Sequence, residues 1–169
     1  MKLVESGFYD GMDWSVVTEH VLALTGDNSG DGRGNASQFL VDEHERENAR
    51  HALRGSVIMA KIPVGKGEFI PNSASSQFAI AFLPLATASK SQSIIGRVLE
   101  GMDVVSRLRR VDPTKEKKKG EVVLPPDSII ETEIVRAATD LPEPVYVDLQ
   151  QELEKAMKAG AFRKRAPTP

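Results

Sequence analysis

The chain has 169 residues, 22 basic and 24 acidic side chains and a formal charge of −2, which suits one domain plus an appendage and supplies no positive field for gathering nucleic-acid phosphates. It has no cysteine, which excludes disulfides, thiolate zinc sites and a cysteine nucleophile. Hydrophobic residues make up 40%, yet the aromatics are only six Phe, two Tyr and one Trp, so the core must be aliphatic. No stretch approaches the ~20 apolar residues of a membrane span, and Met1-Lys2-Leu3-Val4-Glu5 lacks the apolar run of a secretory leader. A soluble cytoplasmic protein, with no membrane and no nucleic-acid partner, is the expectation.

In chain order, residues 1–11 read as the last turns of a helix, with Leu3 and Val4 apolar, closing at Gly7 and an Asp10-Gly11 turn. Residues 12–24 hold apolar and β-branched patches (Trp14, Val16, Val17, Val21, Leu22, Leu24), which predict strands. The run from Gly26 to Gly34 is a glycine-rich polar loop that calls for positive φ. After Phe39-Leu40-Val41 the chain turns polar over 42–54. Gly55-Ser56-Val57-Ile58-Met59-Ala60 then lacks alternation and predicts a strand buried on both sides.

Pro, Gly and Ser content marks 63–76 as loop, and strands are predicted at 77–83 and 93–99. Val104, Val105 and Leu108, spaced three and four apart, predict a short helix. Lys115-Glu116-Lys117-Lys118-Lys119 reads as a solvated loop and 129–135 as a last strand. The resulting organisation is a domain over 1–138, a Pro-containing linker over 139–146 and a helical, basic-ended tail over 147–169. In that tail Leu149, Leu153, Ala156 and Met157 share one helical face, and its charge polarity suits the helix dipole. The tail helix either binds a partner or packs on the domain.

Several blocks stand in an order that resembles the cyclophilin-type peptidyl-prolyl isomerases, in bacterial style. They are Glu5-Ser6-Gly7-Phe8-Tyr9-Asp10-Gly11, Gly26-Asp27 with Gly32-Arg33-Gly34, Gly55-Ser56-Val57 with Met59-Ala60, Asn72-Ser73-Ala74-Ser75-Ser76-Gln77-Phe78, and Gly96-Arg97-Val98-Leu99-Glu100-Gly101-Met102-Asp103. The resemblance implies a mainly β fold, a cyclophilin-like antiparallel β-barrel with capping helices, here lacking the first two strands and followed by the helical tail. Either an upstream segment is omitted, or the barrel is open along its strand edges, where a partner chain could add.

The implied chemistry is rotation about an Xaa-Pro amide, whose barrier of ~18–20 kcal/mol comes from C–N resonance. An arginine donating towards the prolyl nitrogen localises its lone pair, a glutamine holds the neighbouring amide, and an apolar pocket grips the ring. No cofactor and no metal are needed. The family's arginine lies in a Phe-His-Arg-Val stretch that reads Trp14-Ser15-Val16-Val17 here, so Val16 takes the arginine position with no gap between Phe8 and Asp27. By the same register Val21 stands for the pocket phenylalanine, Leu22 for an apolar pocket residue and Leu24 for a glutamine. Ala79 replaces the phenylalanine after Gln-Phe, Ala88 stands at a pocket leucine and Gln92 at a histidine. Gln77 is retained as the catalytic glutamine, with Met59 and Ala60 beside it as substrate-binding residues.

Four other constellations bear on function. Asp27-Asn28-Ser29-Gly30-Asp31-Gly32 imitates the first half of a calcium loop, but Gln38 stands where a bidentate carboxylate is required, and a glycine turn is the simpler reading. His44 and His51 with Glu43 and Glu47 could form a metal cluster or a solvated surface. Lys61 could reach the proline pocket as a substitute donor or stand as a rim lysine. His20 with Asp10, Asp13 and Ser15 lacks a nucleophile turn. The expected function is a divergent isomerase acting on proline-containing peptides or unfolded proteins, its catalysis weakened at Val16; the alternative is a non-catalytic peptide-binding scaffold of the same fold.

Overall fold

A computed structural model describes residues 1–65, 67–115, 123–135 and 145–159. The chain opens with helix α1 (Lys2–Glu5), then strands β1 (Val16–Thr18) and β2 (Leu22–Thr25). These two form a hairpin in which Val16 faces Leu24 and Thr18 faces Leu22, with His20 at φ 60° in the connection. Strand β3 (Phe39–Leu40) follows, then β4 (Ser56–Met59), β5 (Pro63–Gly65), β6 (Glu68–Phe69) and β7 (Phe78–Ala81). Helix α2 (Ala86–Ser91), strand β8 (Ile94–Arg97), helix α3 (Met102–Ser106), strand β9 (Tyr146–Val147) and helix α4 (Leu149–Lys158) complete the described elements.

The main sheet has five strands in the order β1-β2-β7-β4-β8, antiparallel at every contact. It stays open, with β1 and β8 at its edges. Because side chains alternate across a strand, the cross-strand row Val17, Ala23 and Ile80 shares one face. That face packs with Trp14 and Phe82 and is covered by Met102, Val105, Leu108, Val111 and Ile129. The opposite face carries the row Val16, Leu24, Ala79 and Ile58. At its far end Ile58 joins Ala52 and Ala81 under Leu85, Ala88 and Ile94.

Three sequence expectations need correction. The strand expected at 129–135 does not form: only Asp13 and Ser128 bridge, Ile130 is 91% exposed, and Thr132 is tied to the Asp10 carboxylate at 2.7 and 2.8 Å instead of to a ladder. Glu131 and Glu133 interrupt its apolar run, and among the described residues the backbone bonds of Ile129 with Gly11 and Met12 are not continued along the segment. The stretch read as loop over 63–76 contains the β5–β6 hairpin, turned by Gly65 and Gly67 at φ 107° and 80°. Helix α2 was not expected either. Its small polar residues hide the pattern, and Ser89 and Ser91 donate their hydroxyls back to Leu85 O and Thr87 O, four residues earlier.

The tail meets the rest of the fold twice. Strand β9 pairs with β3, placing Val147 opposite Phe39 and Tyr146 opposite Leu40. Helix α4 is capped by Asp148, whose carboxylate accepts from Gln150 N at 2.8 Å. Of the apolar stripe expected there, Ala156 is buried and Leu149 and Leu153 are half-buried, while Met157 is 66% exposed. The Lys117-to-Lys119 run and the proline linker up to Pro144 lie outside the described residues. No helix among the described residues is long and apolar enough to cross a membrane.

Candidate functional site

Gln77 stands one residue before β7, on the same side of the chain as Ala79. Its carbonyl accepts from Ala60 N at 2.9 Å, so the β4–β7 ladder continues to this pair. On the other side lies Gly26, at φ 93°, where a Cβ would overlap the Ser76 carbonyl and Gln77 Cα. Only glycine allows β2 to run this close to Gln77. The Gln77 amide donates Nε2 to Gly34 O at 2.9 Å and Gly32 O at 3.2 Å, fixing the side chain against the glycine loop. Its Oε1 has no protein donor among the described residues.

Gln77 and Ala60 line a cleft of about 420 Å3 with Gly32, Arg33, Phe39, Lys61, Ile62 and Ser73. Phe39, Ala60, Ile62 and Pro63 give it an apolar side and the rest of its lining is polar or glycine, a combination that suits a binding cleft. The glycine loop forms one wall and is held by Asp27: its carboxylate accepts from Gly32 N at 2.5 Å, Gly34 N at 2.8 Å and Ser29 Oγ at 2.9 Å. Burial would raise the Asp27 carboxyl, but the hydrogen bonds from Gly32, Ser29 and Gly34 outweigh it and hold it below its ordinary value. Those bonds occupy the carboxylate, and among the described residues no group of three acidic or histidine side chains could hold a metal ion. The calcium-like loop is thus seen as a self-satisfied turn, and the His44, His51, Glu43 and Glu47 grouping is not assembled.

Lys61 is not a rim lysine but a buried one. It is 8% exposed, and its ammonium contacts Asp42 Oδ2 at 2.5 Å and Ser91 O at 3.1 Å. The sequence gives no hint of this pair, because Asp42 lies in a charged stretch that reads as solvated. A second cavity of about 480 Å3, lined by Asp42, His44, Lys61, Glu68, Asn72 and Lys90 among others, shares Lys61 with the first.

The remaining sequence-predicted residues fall into four places. Val16, Leu24 and Ala79 are successive cross-strand partners on the face that carries Gln77, with Leu22 opposite Ala81 one pair further on. Two strand spacings of ~4.8 Å put Val16 roughly 10 Å from Ala79. Val21 sits in the β1–β2 turn, its carbonyl accepting from Phe82 N at 2.8 Å. Ala88 packs over Ile58 and Ala81 from α2, and Gln92 caps the C-terminus of that helix. Met59, 6% exposed, is the cross-strand partner of Phe78, whose ring meets Tyr9 and Trp14 edge-on, and it does not line the cleft.

An open antiparallel sheet with a peptide-sized cleft beside a fixed glutamine defines the class by fold. A cyclophilin from Hirschia baltica superposes with a TM-score of 0.58 at 19% identity, over 83% of this chain and 64% of that one. A Cryptosporidium parvum cyclophilin-type peptidyl-prolyl cis-trans isomerase, solved in the presence of the dipeptide Ala-Pro, gives 0.53 at 22% identity, over 63% of this chain and 67% of that one. The sequence model of the cyclophilin type peptidyl-prolyl cis-trans isomerase/CLD family matches residues 1–134, and the chain belongs to that family.

Relatives carry the same description. Peptidyl-prolyl cis-trans isomerase-like 1 of Emericella nidulans is 26% identical over 140 residues, 82% of this chain and 80% of the relative. Peptidyl-prolyl cis-trans isomerase-like 2 of Gibberella zeae is 29% identical over 133 residues, 77% of this chain but only 22% of that longer protein.

Proposed function

We propose that this chain is a divergent cyclophilin-type isomerase that takes proline-containing segments of peptides or unfolded proteins into the Gln77 cleft and turns them over slowly. One observation carries the reading: the face beside Gln77 is apolar along Val16, Leu24 and Ala79. By register with the family, Val16 stands where an arginine would donate to the prolyl nitrogen. Loss of one preorganised donor from a reacting centre costs ~10²- to 10³-fold in rate. Lys61, a cation in the cleft wall, is engaged by Asp42 and does not replace a planar guanidinium. The domain over 1–138 would supply the site, with the tail over 147–169 attached through the 139–146 segment.

The same observation favours a second reading, a peptide-binding scaffold with no turnover. Two-dimensional NMR exchange on a short Ala-Pro peptide separates the two. Accelerated cis/trans exchange at a rate well below that of an arginine-bearing cyclophilin supports the weak isomerase. Shifted peptide signals without acceleration support the scaffold. A rate equal to that of an arginine-bearing cyclophilin would overturn the assignment of Val16 as a disabling change.

A further inference from the structure

We infer that the tail helix belongs to the cleft: Glu152, acting through Asn72 and Asp42, is a positioning residue for Lys61. The inference rests on reading that cleft as the peptide site. Glu152 Oε2 accepts from Asn72 Nδ2 at 2.7 Å, across 80 residues of chain. Asn72 Oδ1 accepts from Asp42 N at 2.7 Å, and Asp42 Oδ2 accepts from Asn72 N at 2.9 Å. The same Oδ2 accepts from Lys61 Nζ. Four side chains from four separate segments thus form one unbroken chain from α4 to the cleft wall.

Its members are pinned at each step. Asn72 is held at φ 53°, a conformation that favours a residue bonded to its surroundings on both sides. The carboxyl of Glu152 is held below its ordinary value, first by Lys155 at 2.7 Å and then by Asn72, so it is a charged acceptor at neutral pH. The β3–β9 pair anchors the same, N-terminal end of the helix, and Phe39 of β3 lines the cleft itself. Lys61 lines both cavities and has two of its three ammonium hydrogens engaged, by Asp42 and Ser91. The third has no acceptor among the described residues, and a carbonyl oxygen of an extended peptide is the group that would meet it.

The test uses the full chain with Glu152→Ala and Glu152→Gln, read first without ligand through the side-chain NMR signals of Lys61 and the amides of Asp42 and Asn72. Glu152→Ala should shift all three and weaken binding of a short Ala-Pro peptide about threefold or more, the scale of one lost hydrogen bond. Glu152→Gln, which keeps an acceptor for Asn72, should restore both readouts. Unmoved Lys61 signals in Glu152→Ala would overturn the inference, as would equal effects of the two variants or unchanged peptide affinity with shifted Lys61 signals. If the wild-type chain binds no peptide, the reading of the cleft fails, while the ligand-free signals still decide whether Glu152 positions Lys61. Should Glu152→Ala fail to fold, Asn72→Gly, which keeps the left-handed backbone, breaks the same link and is read in the same way.

Discussion

At the scale of single residues the question is what Val16 costs. Its side chain shares a face with Leu24 and Ala79 and is half-buried, so a longer side chain there can lie along the apolar row and keep its head in water. Val16→Arg should therefore fold and raise Ala-Pro isomerisation by roughly 10²-fold, the value of one preorganised donor. NMR exchange or a coupled assay reads it, and an unchanged rate in a folded variant would mean that the face cannot bring a guanidinium to the bond. Val16 and Leu24 were placed by the ungapped register from Phe8 to Asp27, and Ala79 by its place after Gln77-Phe78, and the strand pairing puts the three in one row. The fixing of Gln77 by Gly32 and Gly34 was not legible in the sequence, since a carbonyl at the tip of a glycine loop leaves no trace in residue type. Nor was the Asp42–Lys61 pair, which joins two residues 19 apart in sequence that read as surface charges.

At the scale of elements, the strands carried by β-branched and apolar runs formed where the pattern put them, and the departures have local causes. β2 and β7 lie in the middle of the sheet, with a neighbour on each side to reward their side chains. Residues 129–135 are also rich in β-branched side chains, though broken by Glu131 and Glu133, and beyond Ile129 they find no ladder among the described residues and stay irregular. Composition alone does not tell these cases apart, because strand stability lies in cross-strand pairs. Helix α4 was legible from its apolar stripe and its charge polarity, while its Asp148 cap was not read from the sequence. Replacing Asp148 by Ala removes the acceptor of Gln150 N and Gln151 N and should cost the helix about 1 kcal/mol. Amide exchange at Gln150 and Gln151 should accelerate several-fold while that of Ala23 and Ile80 in the sheet stays as it was. Equal protection in the variant would show that packing of Ala156 and the Glu152–Asn72 bond hold the helix without its cap.

At the scale of the molecule, Tyr9 ties the start of the chain to the middle of the sheet: its hydroxyl donates to Ser76 O at 2.9 Å, next to Gln77, and its ring packs on Phe8 and Phe78. Burial pushes the phenol from its ordinary 10.0 up to about 12. The folded state therefore holds this proton more tightly than the unfolded chain does. The contribution is complete below pH 10 and is lost as the pH rises from 10 to about 12. Asp27 has the opposite sign, since hydrogen bonds hold its carboxyl below the ordinary range, and its contribution is lost as acid protonates it. Thermal midpoints should therefore fall at both ends of the pH scale, with different residues responsible for each limb. Tyr9→Phe should be less stable than wild type by about 1 kcal/mol at neutral pH, from the lost bond to Ser76, yet show a flatter alkaline limb. Calorimetric melting from pH 7 to 11.5 reads the difference between the two proteins, in which lysine titration is common to both. Parallel alkaline limbs would mean that the Tyr9 hydroxyl reaches water in the folded state and that the clasp between the two halves of the chain is made by ring packing alone.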